Sequence, residues 1–212
     1  MRAQLDPGTL DPGGHGWGAP TDLADDDRAA LLAAFNSGFR LDAAHGGYYQ
    51  NGKTARPLVD GAASMIFGWD GTLTVGAWGR DARMGPNIAA VRQNLSLLVD
   101  AGQILPGVQN NTDHRWGVTL GNAKYVWRSG VGVRADGTIV YVVSNRLTAL
   151  TLAQLLQRAG AVRGMELDIN PEWTSFVRYR PGPTNLLADM QGSPRRYDTP
   201  SSRDFVSLFA RP

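Results

Sequence analysis

Residues 164–173 alternate apolar and polar side chains and place two carboxylates close together. Successive side chains of a strand point to opposite faces, so Glu166, Asp168 and Asn170 would share one face. Pro171 cannot donate a hydrogen bond to a neighbouring strand, and it is expected to end the strand. Two carboxylates and an amide at the tip of a strand suit acid–base or nucleophilic catalysis. The same row is equally compatible with a solvated strand face.

A helix before this strand is expected to position the carboxylates. Thr151 and Gln154 have the spacing of a capping box, which predicts a helix over about residues 152–159. An apolar strand at 139–143 precedes the helix, so these two elements and the strand at 165–169 predict a βαβ unit. Ligands of such units lie beyond the carboxyl ends of the strands, which is where the polar row falls.

Hairpin signals occupy the middle of the chain. Asp-Gly pairs lie between alternating apolar runs and predict tight turns at Asp70-Gly71 and Asp136-Gly137. Between them, the segment 87–105 fits a helix by its apolar spacing but also fits a hairpin. We favour a strand followed by a turn after Asn94.

The N-terminal part carries turn residues and then a helix signal. Residues 1–20 are rich in Pro, Gly and Asp and are expected to form a loop. Thr21 or Asp22 can cap a helix that runs to about Phe35. The acidic triplet at 25–27 would lie near the positive end of that helix, where carboxylates are favourable.

The composition indicates one globular domain. A chain of 212 residues with 42% apolar side chains can bury a substantial core. The predicted fold class is α+β: one domain over 21–212, with a mixed, mainly antiparallel sheet, hairpins, one βαβ unit and helices packed on it. The absence of cysteine excludes disulfides and thiolate catalysis. Net charge is +2 and no basic run is interleaved with aromatics, so nucleic acid is not an expected partner.

Three motifs follow one another between about residues 33 and 177. They are Asn36-Ser37-Gly38-Phe39 with Gly46-Gly47, then Arg128-Ser129-Gly130-Val131-Gly132-Val133 with Asp136-Gly137, and finally Leu167-Asp168. Together they resemble the phosphodiester glycosidase family, the bacterial relatives of the lysosomal uncovering enzyme. The chain departs from the family pattern at 169–173, where Ile-Asn-Pro-Glu-Trp replaces a run of glycines. Glycines let a backbone approach a substrate closely, so this chain resembles a divergent subgroup with a different substrate.

The resemblance implies a hydrolase that cleaves the glycosidic carbon–oxygen bond of a sugar-1-phosphodiester in an extracellular or cell-envelope phosphoglycan. It implies Asp168 as the catalytic carboxylate and Arg128 as the phosphate-binding residue, because a planar guanidinium suits phosphate. Glu166 is either a second carboxylate or a salt-bridge partner. The candidate substrate-binding residues are Asn36, Gly46, Gly47, Asn170 and Trp173.

The sequence is also compatible with other roles for some of these residues. The two glycines could instead form tight turns, and His45 and His114 are expected to be surface residues. The scattered histidines do not form a metal-ligand pattern, so neither a metal nor a cofactor is expected. The alternative function is a non-catalytic glycan-binding domain of a cell-envelope protein.

The ends of the sequence bear on location. No apolar run approaches the roughly 20 residues of a membrane-spanning helix, and no signal-like segment follows Met1. The turn-rich opening is typical of the interior of a longer protein. An export signal or anchor is therefore expected upstream, with the protein extracellular or associated with the cell envelope.

Overall fold

The computed structural model describes residues 1–13, 16–23, 28–111, 113–119, 121 and 123–211. Strands account for about 40% of the chain and helix for 6%. The strands form three five-stranded sheets in which every pair of neighbours is antiparallel. The predicted α+β class with several packed helices is therefore wrong, because the fold is nearly all β.

The strands, numbered in chain order, are β1 Arg2–Asp6, β2 Leu31–Asn36, β3 Tyr48–Gln50, β4 Lys53–Arg56, β5 Ala63–Gly68, β6 Leu73–Ala77, β7 Ile88–Gln93, β8 Leu97–Asp100, β9 Gln103–Ile104, β10 Val126–Arg134, β11 Ile139–Leu147, β12 Ala161–Glu166, β13 Phe176–Arg178, β14 Thr184–Asn185 and β15 Phe205–Phe209. Helix α1 spans Ala149–Arg158, between β11 and β12. In the part of the chain that the structure describes, no helix has the length and hydrophobicity needed to cross a membrane.

The first sheet has the order β1-β15-β2-β13-β14 and brings both ends of the chain together. It corrects the predicted helix to Phe35, since Leu31–Asn36 is a strand with β15 on one side and β13 on the other. Ala34 and Phe35 are both buried although they point to opposite faces. Burial on both faces explains why the segment lacks the alternation of an exposed strand. The acidic triplet at 25–27 lies outside the described residues.

The second sheet has the order β11-β10-β12-β8-β9 and carries α1 on one face. Leu152 and Leu156 of the helix lie over glycines of β10 and β12: a Cβ on Gly130 would come within 3.2 Å of Leu152, and one on Gly164 within 3.1 Å of Leu156. The glycines thus let the helix approach the sheet closely. The strands flanking α1 do not pair directly, because β10 lies between them. The predicted βαβ unit therefore contains an intervening antiparallel strand.

The third sheet, β4-β3-β7-β5-β6, contains the first predicted hairpin. Strands β5 and β6 pair around Asp70-Gly71, and β10 and β11 of the second sheet pair around Asp136-Gly137, which confirms both hairpins. The strand and turn predicted around Asn94 are also confirmed, as β7 ends at Gln93 and Leu95 has a φ of 57°.

Helix α1 begins earlier than predicted. Thr148 is the N-cap, and its side chain and that of Thr151 each accept a hydrogen bond from the other's backbone N–H. The capping box is therefore built on Thr148 and Thr151 rather than on Thr151 and Gln154. Gly160, with a φ of 85°, follows the helix as expected for a C-terminal glycine.

One hydrophobic core joins the three sheets. Phe35 and Val206 from the first sheet, Val131 and Met165 from the second, and Met65 from the third all contribute fully buried side chains. Strands β10 and β12 therefore sit centrally in the molecule.

Candidate active site

Asp168 lies just past the end of β12 and is fixed by the neighbouring strand β10. The N–H of Ser129 donates to the Asp168 carbonyl at 2.9 Å, and the N–H of Leu167 donates to the Ser129 carbonyl at 2.8 Å. Asp168 is only 2% exposed. Its Oδ1 accepts from the N–H of Asn170 and its Oδ2 from Nη2 of Arg203, each at 2.8 Å. Burial raises the pKa of Asp168, while the Arg203 guanidinium opposes that rise.

Glu166 is also buried, and it is paired with Arg128. Nη1 of Arg128 donates to Oε1 of Glu166, while Oε2 makes no hydrogen bond to any described residue. Burial raises the pKa of Glu166 and the Arg128 charge lowers it; burial is the larger effect, so the pKa is about 6. Burial of both Glu166 and Asp168 rules out a solvated face for the two carboxylates. Of the two sequence alternatives for Glu166, the structure shows the salt bridge.

Arg128 is buried on β10 and keeps one donor free. Its Nε donates to the Leu147 carbonyl at 3.1 Å, and Nη1 is occupied by Glu166. Nη2 makes no hydrogen bond within the described residues and is not among the buried unpartnered atoms, so solvent reaches it. Arg128 can therefore offer one charged N–H group to a ligand without losing its place in the sheet.

Asn36 reaches Asp168 indirectly, through Ser129. Its Nδ2 donates to Oγ of Ser129 at 3.0 Å, and that hydroxyl accepts from the Asp168 N–H at 3.2 Å. Its Oδ1 accepts from the Tyr141 hydroxyl at 2.8 Å and from the Ser175 N–H at 3.0 Å. The side chain is thus fully engaged within the protein, and it links the first sheet to the second beneath the site.

Gly46 and Gly47 lie just before β3 of the third sheet, where Gly46 packs against Gln93 and Gly47 against Pro57. The N–H of Gly47 donates to Oε1 of Gln93 at 2.8 Å. A Cβ on Gly47 would sit 2.2 Å from the Pro57 carbonyl oxygen, and one on Gly46 would sit 2.5 Å from Cβ of Gln93. Both glycines are buried and allow close packing there. The preceding residue, His45, is exposed and does face the cleft beside Asp168.

Asn170 and Trp173 flank Asp168 in different ways. Asn170 lines the cleft, and its Oδ1 accepts from the Glu172 N–H at 2.9 Å, which closes a turn. The half-buried Trp173 lies under two guanidinium groups, with Cζ of Arg203 at 5.0 Å and Cζ of Arg196 at 5.4 Å from its ring centroid. These cation–π contacts cover the indole.

Asp168 opens into a cleft of about 620 Å³. Apolar and aromatic side chains form much of its wall, including Phe39, Tyr125, Trp127 and Pro171, and polar groups such as Asn145 and His114 are interspersed. Such a mixture suits a sugar, whose ring stacks on aromatic groups while its hydroxyls form hydrogen bonds. Trp116, by contrast, is fully buried in the core.

A second cleft, of about 460 Å³, adjoins the first and contains Arg128. Lys124 and the first turn of α1 also line it, so its character is basic. The two clefts share the wall formed by His114, Gly117, Val118, Thr119 and Tyr125. The structure therefore places Asp168 and Arg128 in neighbouring clefts on either side of one wall.

The family model for phosphodiester glycosidases matches residues 29–168, which is more than half of the chain. The chain belongs to the phosphodiester glycosidase family. The matched region contains all three sequence motifs and ends at Asp168.

Two solved structures have a similar fold. One is the zebrafish N-acetylglucosamine-1-phosphodiester alpha-N-acetylglucosaminidase catalytic domain auto-inhibited by its pro-peptide, with a TM-score of 0.60 and 18% identity, covering 100% of this chain and 73% of that one. The other is a hypothetical protein from Synechocystis, with a TM-score of 0.51 and 14% identity, covering 99% of this chain and 57% of that one. No curated protein matches the sequence.

Sequence reasoning missed two side chains of this glycosidase-family site. Nδ2 of Asn94 donates to the carbonyls of Glu166 and Leu167 at 2.8 and 3.0 Å, which fixes the end of β12. Arg203 contacts Asp168 directly, although it lies 35 residues later and outside the matched region. In the sequence, Asn94 carries only the signal of a turn position. No motif surrounds Arg203, so the neighbouring residues do not predict its contact with Asp168.

Proposed function

We propose that this chain hydrolyses a sugar-1-phosphodiester by breaking the bond between the anomeric carbon and oxygen. The observation that carries the proposal is the buried carboxylate of Asp168, which lines a large cleft and stands at the end of the family match. The sugar would occupy the aromatic cleft, and the phosphate would lie toward the cationic side chains.

The chemistry needs a carboxylate more than it needs a strong acid. A phosphate is a good leaving group, so the main demand is stabilisation of an oxocarbenium-like sugar and of the departing phosphate. Asp168 is the group we assign to the sugar, either as nucleophile or as base for water. The free Nη2 of Arg128 is the group we assign to the phosphate.

Glu166 has a separate role in this proposal. Its ion pair with Arg128 holds the guanidinium against the sheet, so that Nη2 is aimed without rotational freedom. Tyr125 and Trp127 are the proposed stacking surfaces, with Asn145 and Asn170 as hydrogen-bonding groups for sugar hydroxyls. We further propose an extracellular or cell-envelope phosphoglycan as the substrate, which would place the protein outside the cytoplasm.

A second function is favoured by one observation, the altered segment after Asp168. Pro171 cannot donate a backbone hydrogen bond, and the N–H groups of Asn170 and Glu172 are already engaged. A domain that binds a phosphoglycan without cleaving it would tolerate this loss of donors. Binding without turnover would identify that alternative.

Hydrolysis in water enriched in oxygen-18 tests the proposed reaction. Cleavage between carbon and oxygen should place the label on the released sugar before anomeric exchange and leave the phosphate unlabelled. Asp168→Asn serves as the control for contaminating hydrolases, because it should lose the activity. Label in the phosphate would overturn the mechanism, and absence of any turnover with a bound sugar phosphodiester would favour the binding function.

A further inference from the structure

We propose that Arg203 is a substrate-binding residue that bridges the carboxylate of Asp168 and the phosphate of the substrate. This role rests on the proposed function, and it places a second arginine at the phosphate, beside the reacting centre rather than across the wall of the cleft. Arg203 lies outside the region that matches the family, so no family motif assigns it a role.

One nitrogen of the Arg203 guanidinium is occupied within the protein, and the other two are not. Nη2 donates to Oδ2 of Asp168 at 2.8 Å and to the carbonyl of Gly38 at 2.7 Å. Nε and Nη1 make no hydrogen bond to any described residue. Neither is a buried unpartnered atom, so solvent reaches both. Cδ lies between these two nitrogens, so they do not form a bidentate edge, but each can donate one charge-assisted hydrogen bond to a phosphate oxygen.

Arg203 and Asp168 line the same cleft. Arg203 lines the 620 Å³ cleft together with Asp168, and its side chain is only 12% exposed. A ligand that reaches Asp168 therefore meets a guanidinium that is largely shielded from water. Shielding strengthens an ion pair relative to one at the open surface.

The guanidinium is held in place before any ligand arrives. Its Cζ lies over the ring of Trp173, 5.0 Å from the ring centroid. The next residue, Asp204, is anchored by Nε of the fully buried Arg92 at 2.6 Å. Little side-chain entropy is then left to lose on binding, which favours affinity and orientation.

The proposed bridge would reduce the repulsion between two negative groups, the Asp168 carboxylate and the phosphodiester. A phosphodiester and a carboxylate repel each other when both approach the anomeric carbon, and a cation hydrogen-bonded to both offsets that repulsion. The other titratable side chains near Asp168 are Glu166 and Tyr141 in the interior and Arg40, His45 and His114 around the cleft. Glu166 is already paired with Arg128, and Tyr141 is uncharged at neutral pH because burial raises its pKa. Arg203 is therefore the cation in direct contact with this carboxylate.

Two measurements test the bridge without requiring turnover. The first is the affinity for inorganic phosphate, by titration calorimetry, in the wild type and in Arg203→Gln. Loss of a charge-assisted hydrogen bond should weaken binding about tenfold or more. The second is the pKa of Asp168 from carbon-13 spectra of the side-chain carboxyl, which should rise by about 1 unit or more without the adjacent cation.

The matched control is Arg196→Gln, because Arg196 lies over the same Trp173 ring but, among the described residues, makes no hydrogen bond or ion pair with Asp168. It should change neither quantity. Arg203→Lys keeps the charge, so it should leave the Asp168 pKa nearly unchanged, while phosphate affinity should fall because an ammonium on a flexible stem does not hold its donors in a fixed plane. This variant also serves if Arg203→Gln does not fold.

The outcomes separate this inference from the proposed reaction. Unchanged phosphate affinity in Arg203→Gln would overturn the bridge, as would phosphate affinity that falls equally in Arg196→Gln. If both shifts occur as expected but the wild type hydrolyses no sugar phosphodiester, the reaction fails while the anion-binding role of Arg203 stands.

Discussion

The buried ion pair between Arg92 and Asp204 joins the third sheet to the segment that carries Arg203. Nε of Arg92 donates to Oδ2 of Asp204 at 2.6 Å, and the two side chains are 0% and 1% exposed. Replacing Asp204 by Ala leaves a buried guanidinium with carbonyl acceptors only, those of Gln93 and Phe39. We therefore expect a large loss of stability.

The magnitude follows from the burial. Removing one partner of a buried pair costs about 3–5 kcal/mol, because the other charge stays desolvated and uncompensated. For a chain of this length each kcal/mol lowers Tm by about 2–4 °C, so Asp204→Ala should lower Tm by roughly 6–20 °C. Thermal unfolding followed by circular dichroism measures this shift.

Two further variants decide whether the charge is the cause. Asp42 pairs with Arg40 at the open surface, so Asp42→Ala should leave Tm nearly unchanged. Replacing Arg92 by Met and Asp204 by Leu together removes both charges and should recover most of the lost stability. A loss below about 1 kcal/mol in Asp204→Ala, the size typical of exposed pairs, would refute the reasoning.

Three other substitutions probe the carboxylates and Arg128. Asp168→Asn should abolish most hydrolysis while unfolding remains cooperative, as measured by turnover and thermal unfolding; full activity would assign the chemistry elsewhere. Arg128→Lys should also lower kcat/KM, because an ammonium cannot replace both the Glu166 contact and the free Nη2. Glu166 has a pKa of about 6 when folded against 4.5 as its reference, so the folded state binds more protons between these values and stability falls as pH rises through them. Between a pH below 4.5 and a pH above 6, the free energy of unfolding of the wild type should therefore fall by about 2 kcal/mol relative to that of Glu166→Gln, as measured by denaturant unfolding. A difference between the two proteins that does not change with pH would contradict the raised pKa.

Local signals predicted the hairpins well, because an Asp-Gly turn specifies its geometry within a few residues. Gly71 and Gly137 both adopt positive φ, at 77° and 83°. The same locality explains the strand and turn around Asn94. The predicted helix to Phe35 failed for the opposite reason, since Leu31–Asn36 is a strand only because β13 and β15 pair with it from far along the chain.

The candidate site shows the same division between local and distant contacts. Glu166 and Arg128 meet because β10 and β12 are neighbours, with Gly130 opposite Glu166 in the ladder. Their motifs lie on strands that the sequence could suggest. Arg203 follows no strand of that sheet, and its contact with Asp168 depends on how β15 enters the first sheet. Composition and spacing carry no information about such a contact.

The segment after Asp168 shows how one carboxylate can be kept while its surroundings differ from the family pattern. A run of glycines leaves backbone donors open to a ligand. Here the turn closes on itself, since the Asn170 N–H donates to Asp168 and the Glu172 N–H donates to the Asn170 side chain. Pro171 has no donor to offer. The segment therefore offers a ligand beside Asp168 fewer backbone donors than a run of glycines would, whereas Nε and Nη1 of Arg203, which contacts the same carboxylate, make no hydrogen bond to any described residue.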